Sequence, residues 1–374
     1  MRLVVLGATG SIGRQTLDVV RSCLKDFTVT ALTGFSDIRG LSRLANEFRP
    51  LVVCVGDSAA ALELKKMLNY SCEILTGAEG LIACAVAGDI VVNALVGRVG
   101  LGPTLAAINA GCDVALANKE TLVTAGGLVM ALAREKNVRI TPIDSEHSAI
   151  WQCLQGNDTH SVEKIILTAS GGAFRTRSIE EIAVSTAEDA LRHPNWNMGV
   201  KITIDCATLM NKGLELIETM WLFDQPMEKI EVLIHPQSII HSMVQFKDGA
   251  IMAQMGLPDM RLPILYALSA PRRIENNFPR LDFKTCLTFE DIDLKKFPCF
   301  SLACEAAKTG GTLPAVMNYI NEWAVNEFLQ GKINFYGISD IIAQAFEAYN
   351  VKNVIDINDI YEAENWAFEY LEKR

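Results

Sequence analysis

At residues 141–150 the chain reads TPIDSEHSAI, which sets two carboxylates, Asp144 and Glu146, two positions apart beside His147, where a strand is expected to end. In an extended segment residues i and i+2 point to the same side, so the two acids would face one spot. Like charges held together cost free energy unless a cation lies between them. A hard divalent ion is the chemistry this pattern suggests. The plain alternative is a solvated loop opening a helix, with Asp144 or Ser145 as its N-cap.

Other stretches carry residues of the same kind. In DCATLMNKGLELIE (205–218), Asp205 or Thr208 would cap a helix on which Lys212 and Glu215, three apart, share a face. They read either as a surface ion pair or as a third carboxylate beside two oxyanion binders, Asn211 and Lys212. LTASGGAF (167–174) follows a strand with Ser170 and two glycines, a turn whose hydroxyl and N–H groups suit a phosphate or simply a tight reversal. LRHPNWNMG (191–199) is rich in turn formers yet holds His193, Trp196 and Met198. Such side chains either form a lid that closes over ligand or pack on their own domain. His235 and His241 lie on a strand pattern and read as core histidines, with His241 able to support a site from behind.

Two further segments fit a nucleotide. GATGSIG places Gly7, Gly10 and Gly13 between a strand and a helix, where the backbone can approach a pyrophosphate and the helix N-terminus offers N–H donors. The second strand ends in Thr33-Gly34-Phe35-Ser36, and the first acid, Asp37, comes after it. The acid that usually meets an NAD ribose is therefore missing. Ser36 and Arg39 would instead suit a 2′-phosphate, which leans towards NADP. ALANKET (115–121) puts Asn118, Lys119 and Glu120 at the C-terminal end of a strand, the ligand edge of open α/β sheets. Lys119 would anchor a substrate anion there and Glu120 would face the cofactor, unless both are ordinary residues of a helix start.

The elements that must position these groups follow from the apolar pattern. Continuous apolar strands at 2–6, 27–33, 51–55, 89–95 and 113–117 alternate with helical stretches, which implies a parallel sheet covered on both faces. This Rossmann-like domain is expected over 1–135. Longer strands at 163–170 and 230–256, with a hairpin at Lys247-Asp248-Gly249, imply a central α+β domain with a mixed sheet over 136–268, carrying a flap at 190–200. A connecting segment at 269–298 and a small helical bundle at 299–374, with helices at 301–309, 313–329, 336–349 and 357–373, complete an α/β chain.

Composition narrows the class. The 374 residues are 50% hydrophobic with a net charge of -10, which argues against a nucleic-acid binder. Ten cysteines, none spaced as CxxC, read as buried thiols of a reducing compartment. The start MRLVVLGATG enters a strand at once and does not read as a signal peptide. The most apolar long stretch, 81–97, is broken by Asp89 and Asn93, so no membrane span is expected. A cytoplasmic location follows.

In chain order, GATGSIG, ANKE, IDSEHSAIWQ, LTASGGAF, HPNWNMG, DCATLMNKGLE and HPQSIIHSMV closely resemble the 1-deoxy-D-xylulose 5-phosphate reductoisomerase family, over roughly residues 2–370. The resemblance implies rearrangement of 1-deoxy-D-xylulose 5-phosphate and its reduction by NADPH to 2-C-methyl-D-erythritol 4-phosphate, in the non-mevalonate isoprenoid pathway. It implies one Mg²⁺ or Mn²⁺ per subunit on Asp144, Glu146 and Glu215. By motif match, Lys119 and Ser145 meet the hydroxyl or carbonyl region of the substrate, and Ser170, Asn211, Lys212 and the residue at 206 meet its phosphate. His193 and Trp196 belong to the covering flap, and Met198 packs near the nicotinamide. Thr9, Gly10, Ser11 and Ile12 match the pyrophosphate loop, while Asn118, Glu120 and Gly199 match other cofactor contacts. The resemblance further implies a homodimer built on the central sheet and inhibition by phosphonates of the fosmidomycin type.

Two positions depart from the family pattern. Cys206 stands where the family usually has Ser, and a thiol is a weaker donor than a hydroxyl. Phe35-Ser36-Asp37 replaces a Gly-Lys/Arg-Asn run, so the usual cation for the 2′-phosphate is missing, with Arg39 as a substitute. A semialdehyde dehydrogenase would use a similar glycine loop but needs a nucleophilic Cys with a His base, which no cysteine here has beside it in sequence. A non-catalytic NADP sensor would have no use for Asp144, Glu146, Lys212 and Glu215.

Overall fold

The computed structural model describes residues 1–196 and 198–374. The chain forms two compact units: Met1–Thr121 with Val129–Ser148 and Asp259–Pro279, and Leu122–Leu128 with Ala149–Pro258 and Arg280–Arg374.

The first unit holds a seven-stranded sheet of β1 (Arg2–Leu6), β2 (Thr28–Thr33), β3 (Val52–Val55), β4 (Glu73–Thr76), β5 (Ile90–Asn93), β6 (Asp113–Leu116) and β7 (Ile140–Pro142). All pairings are parallel, in the order β4-β3-β2-β1-β5-β6-β7. Leu3, Val4, Val5 and Leu6 of the central β1 are fully buried, as a sheet covered on both faces requires. The strand order reverses between β1 and β5, and ligands bind at such a switch point. Gly7 sits there with φ 78°, and a Cβ on it would lie 2.6 Å from the Ala94 carbonyl oxygen just past β5. Only glycine fits that backbone approach.

β4 escapes the sequence pattern, whereas β7 is the strand expected to end before Asp144, though it is too short to show a continuous apolar run. β4 is a four-residue edge strand with no fully buried position, and β7 is a three-residue edge strand ending in Pro142. Edge strands bury too little surface to need a continuous apolar run. The sequence reading ends the first domain at 135, yet β7 pairs with β6 through Leu116 and Pro142. The helix Arg261–Ser269 packs on the helix Ser11–Cys23, where Arg261 meets Asp18 at 3.4 Å. The apolar face of that late helix finds its partner on the nucleotide-type unit, and so 259–279 belongs to that unit.

The second unit contains β8 (Val162–Ala169), β9 (Ile230–Ile234), β10 (Ile240–Phe246) and β11 (Ile251–Met255), in the order β11-β10-β8-β9. β8 and β9 are parallel and the other two pairings antiparallel, which makes the sheet mixed. The β10–β11 hairpin turns at the expected Lys247-Asp248-Gly249, with Gly249 at φ 86°. Helices Pro298–Thr309, Leu313–Leu329, Gly337–Ala348 and Ile357–Glu372 follow the expected periodicity. They pack among themselves and on the helices Val200–Ala207 and Met210–Phe223. Among the described residues no helix is long and apolar enough to cross a membrane.

Candidate active site

In the first unit, the site residues gather where β6 and β7 end. Asn118 caps the helix Lys119–Lys136 by accepting the Thr121 N–H at 3.2 Å. Its amide donates to the carbonyls of Leu95 at 3.1 Å and Gly97 at 2.9 Å and to Glu120 at 3.0 Å. The cap therefore ties this helix to the loop after β5, and it presents the next residue, Lys119, in a fixed place.

Lys119 Nζ lies 2.6 Å from Asp144 Oδ2, with both side chains almost buried. Burial would push the Asp144 carboxyl up, but the Lys119 ammonium, with His147 Nδ1 at 4.0 Å, outweighs it and holds the group well below the usual carboxylate range. Asp144 is thus ionised in a site where an unpaired charge would be very costly.

The extended geometry expected for Asp144 and Glu146 does not hold. The strand ends at Pro142 and the helix Ser145–Leu154 begins directly after Asp144. The two acids are brought together by a strand-to-helix turn, not by pleating. Oxygens of Asp144 and Glu146 still lie within 4.8 Å of each other, a spacing two ligands of one cation can adopt. Ser145 Oγ donates to Glu146 across that turn.

The glycine loop is built as expected. Gly10 donates its N–H to the Gly7 carbonyl at 3.0 Å and precedes the helix Ser11–Cys23 in extended conformation. No side chain caps that helix, so its first turn, with Thr9, Ser11 and Ile12 around it and Gly13 packed on the loop, presents backbone donors. Asp37, the acid after β2, accepts the Gly40 N–H at 2.8 Å and pairs with Arg14 at 2.7 Å. Its carboxylate is already used as a helix cap and an ion partner. Ser36 and Arg39 are exposed beside it.

In the second unit, Asn211, Lys212 and Glu215 lie on the helix Met210–Phe223 and are buried. Lys212 donates to one oxygen of Glu215, and Asn211 Nδ2 donates to the other at 2.5 Å. This overturns the surface-ion-pair alternative. The expected cap is also different: the stretch breaks into two helices, with Leu209 left-handed at φ 58° between them. Thr208 Oγ1 accepts the Met210 N–H at 3.2 Å. Asp205 lies inside the preceding helix, buried against Lys201 at 2.7 Å and Asn321 at 2.9 Å. Glu218, one turn beyond Glu215, is fully buried as well. Glu218 is a site residue that the sequence pattern does not single out, although its spacing of three from Glu215 puts it on the same face.

The turn after β8 meets the flap. Gly171 and Gly172 have φ of 85° and 65°, and the Gly172 N–H reaches Ser170 Oγ at 3.3 Å. Ser170 Oγ is 2.9 Å from His193 Nε2. His193 Nδ1 accepts the N–H groups of Asn195 at 3.2 Å and Trp196 at 3.0 Å. An imidazole nitrogen that accepts carries no proton, so the ring's hydrogen is on Nε2 and is donated to Ser170. Burial pushes His193 down to about 4, which keeps the ring uncharged at neutral pH. Trp196 lies over His241, with ring centroids 6.1 Å apart. Met198 is half-buried and Gly199 occupies the N-cap of the helix Val200–Ala207, which carries Cys206. Residue 197 of the flap lies outside the described residues.

Comparisons with known proteins agree on one family. The model described as 1-deoxy-D-xylulose 5-phosphate reductoisomerase matches residues 3–126. Two models for C-terminal domains of the same protein match residues 140–223 and 255–370. A relative of that name from Heliobacterium modesticaldum is 53% identical, over 100% of this chain and 97% of the relative. Another from Chlorobium limicola is 51% identical, over 98% and 97% of the two chains. Among solved structures, the Zymomonas mobilis enzyme in complex with NADPH is 44% identical with a TM-score of 0.92, covering 98% of this chain and 96% of that one. A reductoisomerase in complex with NADPH, fosmidomycin and magnesium is 40% identical with a TM-score of 0.93, covering 100% and 98%.

Proposed function

The chain belongs to the 1-deoxy-D-xylulose 5-phosphate reductoisomerase family, and on that premise we propose that it converts 1-deoxy-D-xylulose 5-phosphate to 2-C-methyl-D-erythritol 4-phosphate with NADPH and a divalent cation. The observation that carries this reading is the almost buried Lys119–Asp144 pair with Glu146 beside it. An all-oxygen set of carboxylates suits Mg²⁺ or Mn²⁺, and Asp144, Glu146 and Glu215 are the residues that would hold one such ion per subunit. When bound, that ion supplies Lewis-acid polarisation of the substrate's carbonyl.

The protein's own groups do the rest. Lys119 and Ser145 orient the ketol oxygens. The reaction exchanges the C3–C4 bond for a new carbon–carbon bond by cleavage and re-addition, and the branched aldehyde so formed takes hydride from NADPH and a proton at its oxygen. Ser170, Asn211, Lys212 and Cys206 bind the phosphate. Ser170 receives the His193 hydrogen bond and the Gly172 N–H, so its own hydroxyl hydrogen is left to point at a phosphate oxygen. Trp196 and Met198 exclude water from the aldehyde when the flap closes. Gly7, Thr9, Gly10, Ser11, Ile12 and Gly13 cradle the NADPH pyrophosphate, Ser36 and Arg39 meet its 2′-phosphate, and Asn118, Glu120 and Gly199 complete the cofactor contacts. The enzyme acts in the cytoplasm as a homodimer joined through its central sheet.

The test is consumption of NADPH with 1-deoxy-D-xylulose 5-phosphate, with and without Mg²⁺ or Mn²⁺, repeated with NADH. Metal-dependent turnover with a higher kcat/KM for NADPH is expected. Equal values for the two cofactors would remove the 2′-phosphate role of Ser36 and Arg39. No turnover by folded protein with either cofactor would refute the reading and favour a sensor.

Cys206 gives a second expectation. Cys206→Ser replaces a weak donor with a hydroxyl. Substrate KM and the inhibition constant of fosmidomycin should both fall about fivefold, the worth of roughly 1 kcal/mol for one improved hydrogen bond. Steady-state kinetics of the variant check this, and unchanged or raised values for both would show that the side chain at 206 does not reach the phosphate.

A further inference from the structure

The flap segment is held by a loop of distant sequence. The Asn195 side-chain amide donates to the Pro236 carbonyl at 2.5 Å and to Ser238 Oγ at 3.1 Å. The backbone N–H of the same residue is one of the two donors to His193 Nδ1. One residue therefore grips the body of its unit with its side chain and the His193 ring with its main chain.

The receiving loop is rigidly built. Ser238 is left-handed at φ 50°, a conformation that persists in a non-glycine residue only where its surroundings enforce it. His235 is fully buried, and its Nε2 accepts the N–H groups of Ile239 at 3.3 Å and Ile240 at 3.2 Å. Its Nδ1 must then carry the hydrogen, which it donates to the Thr288 carbonyl at 2.9 Å. Gln237 donates to Thr288 Oγ1 at 2.8 Å, and the His235 ring stacks on Phe289 with centroids 4.9 Å apart. Five contacts thus fix the surface on which Asn195 lands.

This placement matters because an uncharged imidazole has one hydrogen and two nitrogens. The N–H groups of residues 195 and 196 decide which nitrogen bears it. If they drift, the hydrogen can move to Nδ1 and the donation to Ser170 is lost.

We propose that Asn195 is a positioning residue of the reaction: by docking its carboxamide on Pro236 and Ser238 it fixes the ring plane and tautomer of His193, so that Nε2–H is delivered to Ser170 at the substrate's phosphate. This rests on the reading of Ser170 and His193 given above.

The test uses the full chain with Asn195→Ala and Asn195→Asp. Asn195 is exposed, so both variants should fold. Aspartate has the same shape but cannot donate to the Pro236 carbonyl. In both variants kcat/KM for 1-deoxy-D-xylulose 5-phosphate should fall about tenfold, mainly through KM, while KM for NADPH stays within about twofold. Amide hydrogen exchange at residues 195 and 196, measured without substrate, should accelerate in both. A space-filling role would leave Asn195→Asp like wild type, and that result, or wild-type kinetics and exchange in Asn195→Ala, would overturn the proposal. If wild type fails to turn over, the functional reading falls, whereas the exchange measurement still tests whether Asn195 holds the segment.

Discussion

Glu215→Gln is expected to lower metal-dependent kcat/KM by about 10²- to 10³-fold, the range for loss of one preorganised charge-stabilising group. Glutamine keeps the shape of the side chain, but its one carbonyl oxygen can accept from Lys212 or from Asn211 and not from both, as the two carboxylate oxygens do. What it removes is a negative charge in a site with 1% exposure, where solvent cannot replace it. Lys212 then stays buried without its carboxylate, and breaking such a pair costs about 3 to 5 kcal/mol where both groups are fully desolvated. Activity alone would therefore confuse lost ligation with lost folding. Three measurements separate them: the thermal midpoint, NADPH affinity, and the Mg²⁺ dependence of turnover. Loss of ligation leaves NADPH bound, because the glycine loop belongs to the other unit, and moves half-saturation to much higher Mg²⁺. A folded variant with turnover within about tenfold of wild type and the same Mg²⁺ dependence would remove Glu215 from the metal set.

What could be read from the sequence follows from how local each feature is. The parallel strands were legible because strands buried on both faces must be continuously apolar; β1 is the clearest instance, with four of its five residues fully buried. β4 was not, since a short edge strand buries too little to leave that signature, and β7 showed only its end, before Asp144. At the carboxylates the closeness was legible and the geometry was not. Proximity of Asp144 and Glu146 survives, but through a helix start, which a two-residue spacing cannot distinguish from an extended run. Lys212 and Glu215 announced themselves as a pair by spacing. Their burial depends on the helices packed over them, a tertiary property. The Lys119–Asp144 pair and the Ser170–His193 hydrogen bond join separate elements, and no local pattern encodes either. Asn195 had no signal at all: an asparagine in a turn-rich stretch looks like a turn former, and only the folded loop at 236–238 gives its amide a purpose.

Gly172→Ala should show how closely the Ser170-Gly171-Gly172 turn, proposed above to bind the phosphate, is fitted to the helix Val200–Ala207. Gly172 has φ 65°, and a Cβ there would lie 2.3 Å from the Cys206 carbonyl oxygen and 3.0 Å from Ala207 Cα. Both neighbours are backbone and cannot rotate away. Either the Ser170-Gly171-Gly172 turn lifts or the helix Val200–Ala207 shifts, and each movement separates Ser170 from Cys206. The left-handed backbone adds about 1 to 2 kcal/mol of strain for a residue with a side chain, and the enforced displacement adds about 1 to 3 kcal/mol. Denaturant unfolding should show a loss of roughly 2 to 5 kcal/mol, and substrate KM should rise by at least about tenfold with KM for NADPH unchanged. Gly171→Ala is the control. Its φ is 85°, so the strain is similar, but its Cβ would first meet Arg175 Cδ at 2.7 Å, part of a long side chain that can swing aside. Strain alone predicts equal effects on KM for the two substitutions. Contact between the turn and the Cys206 backbone predicts a large rise only at 172, and wild-type KM in a folded Gly172→Ala would mean that the turn does not depend on that contact to hold its ligand.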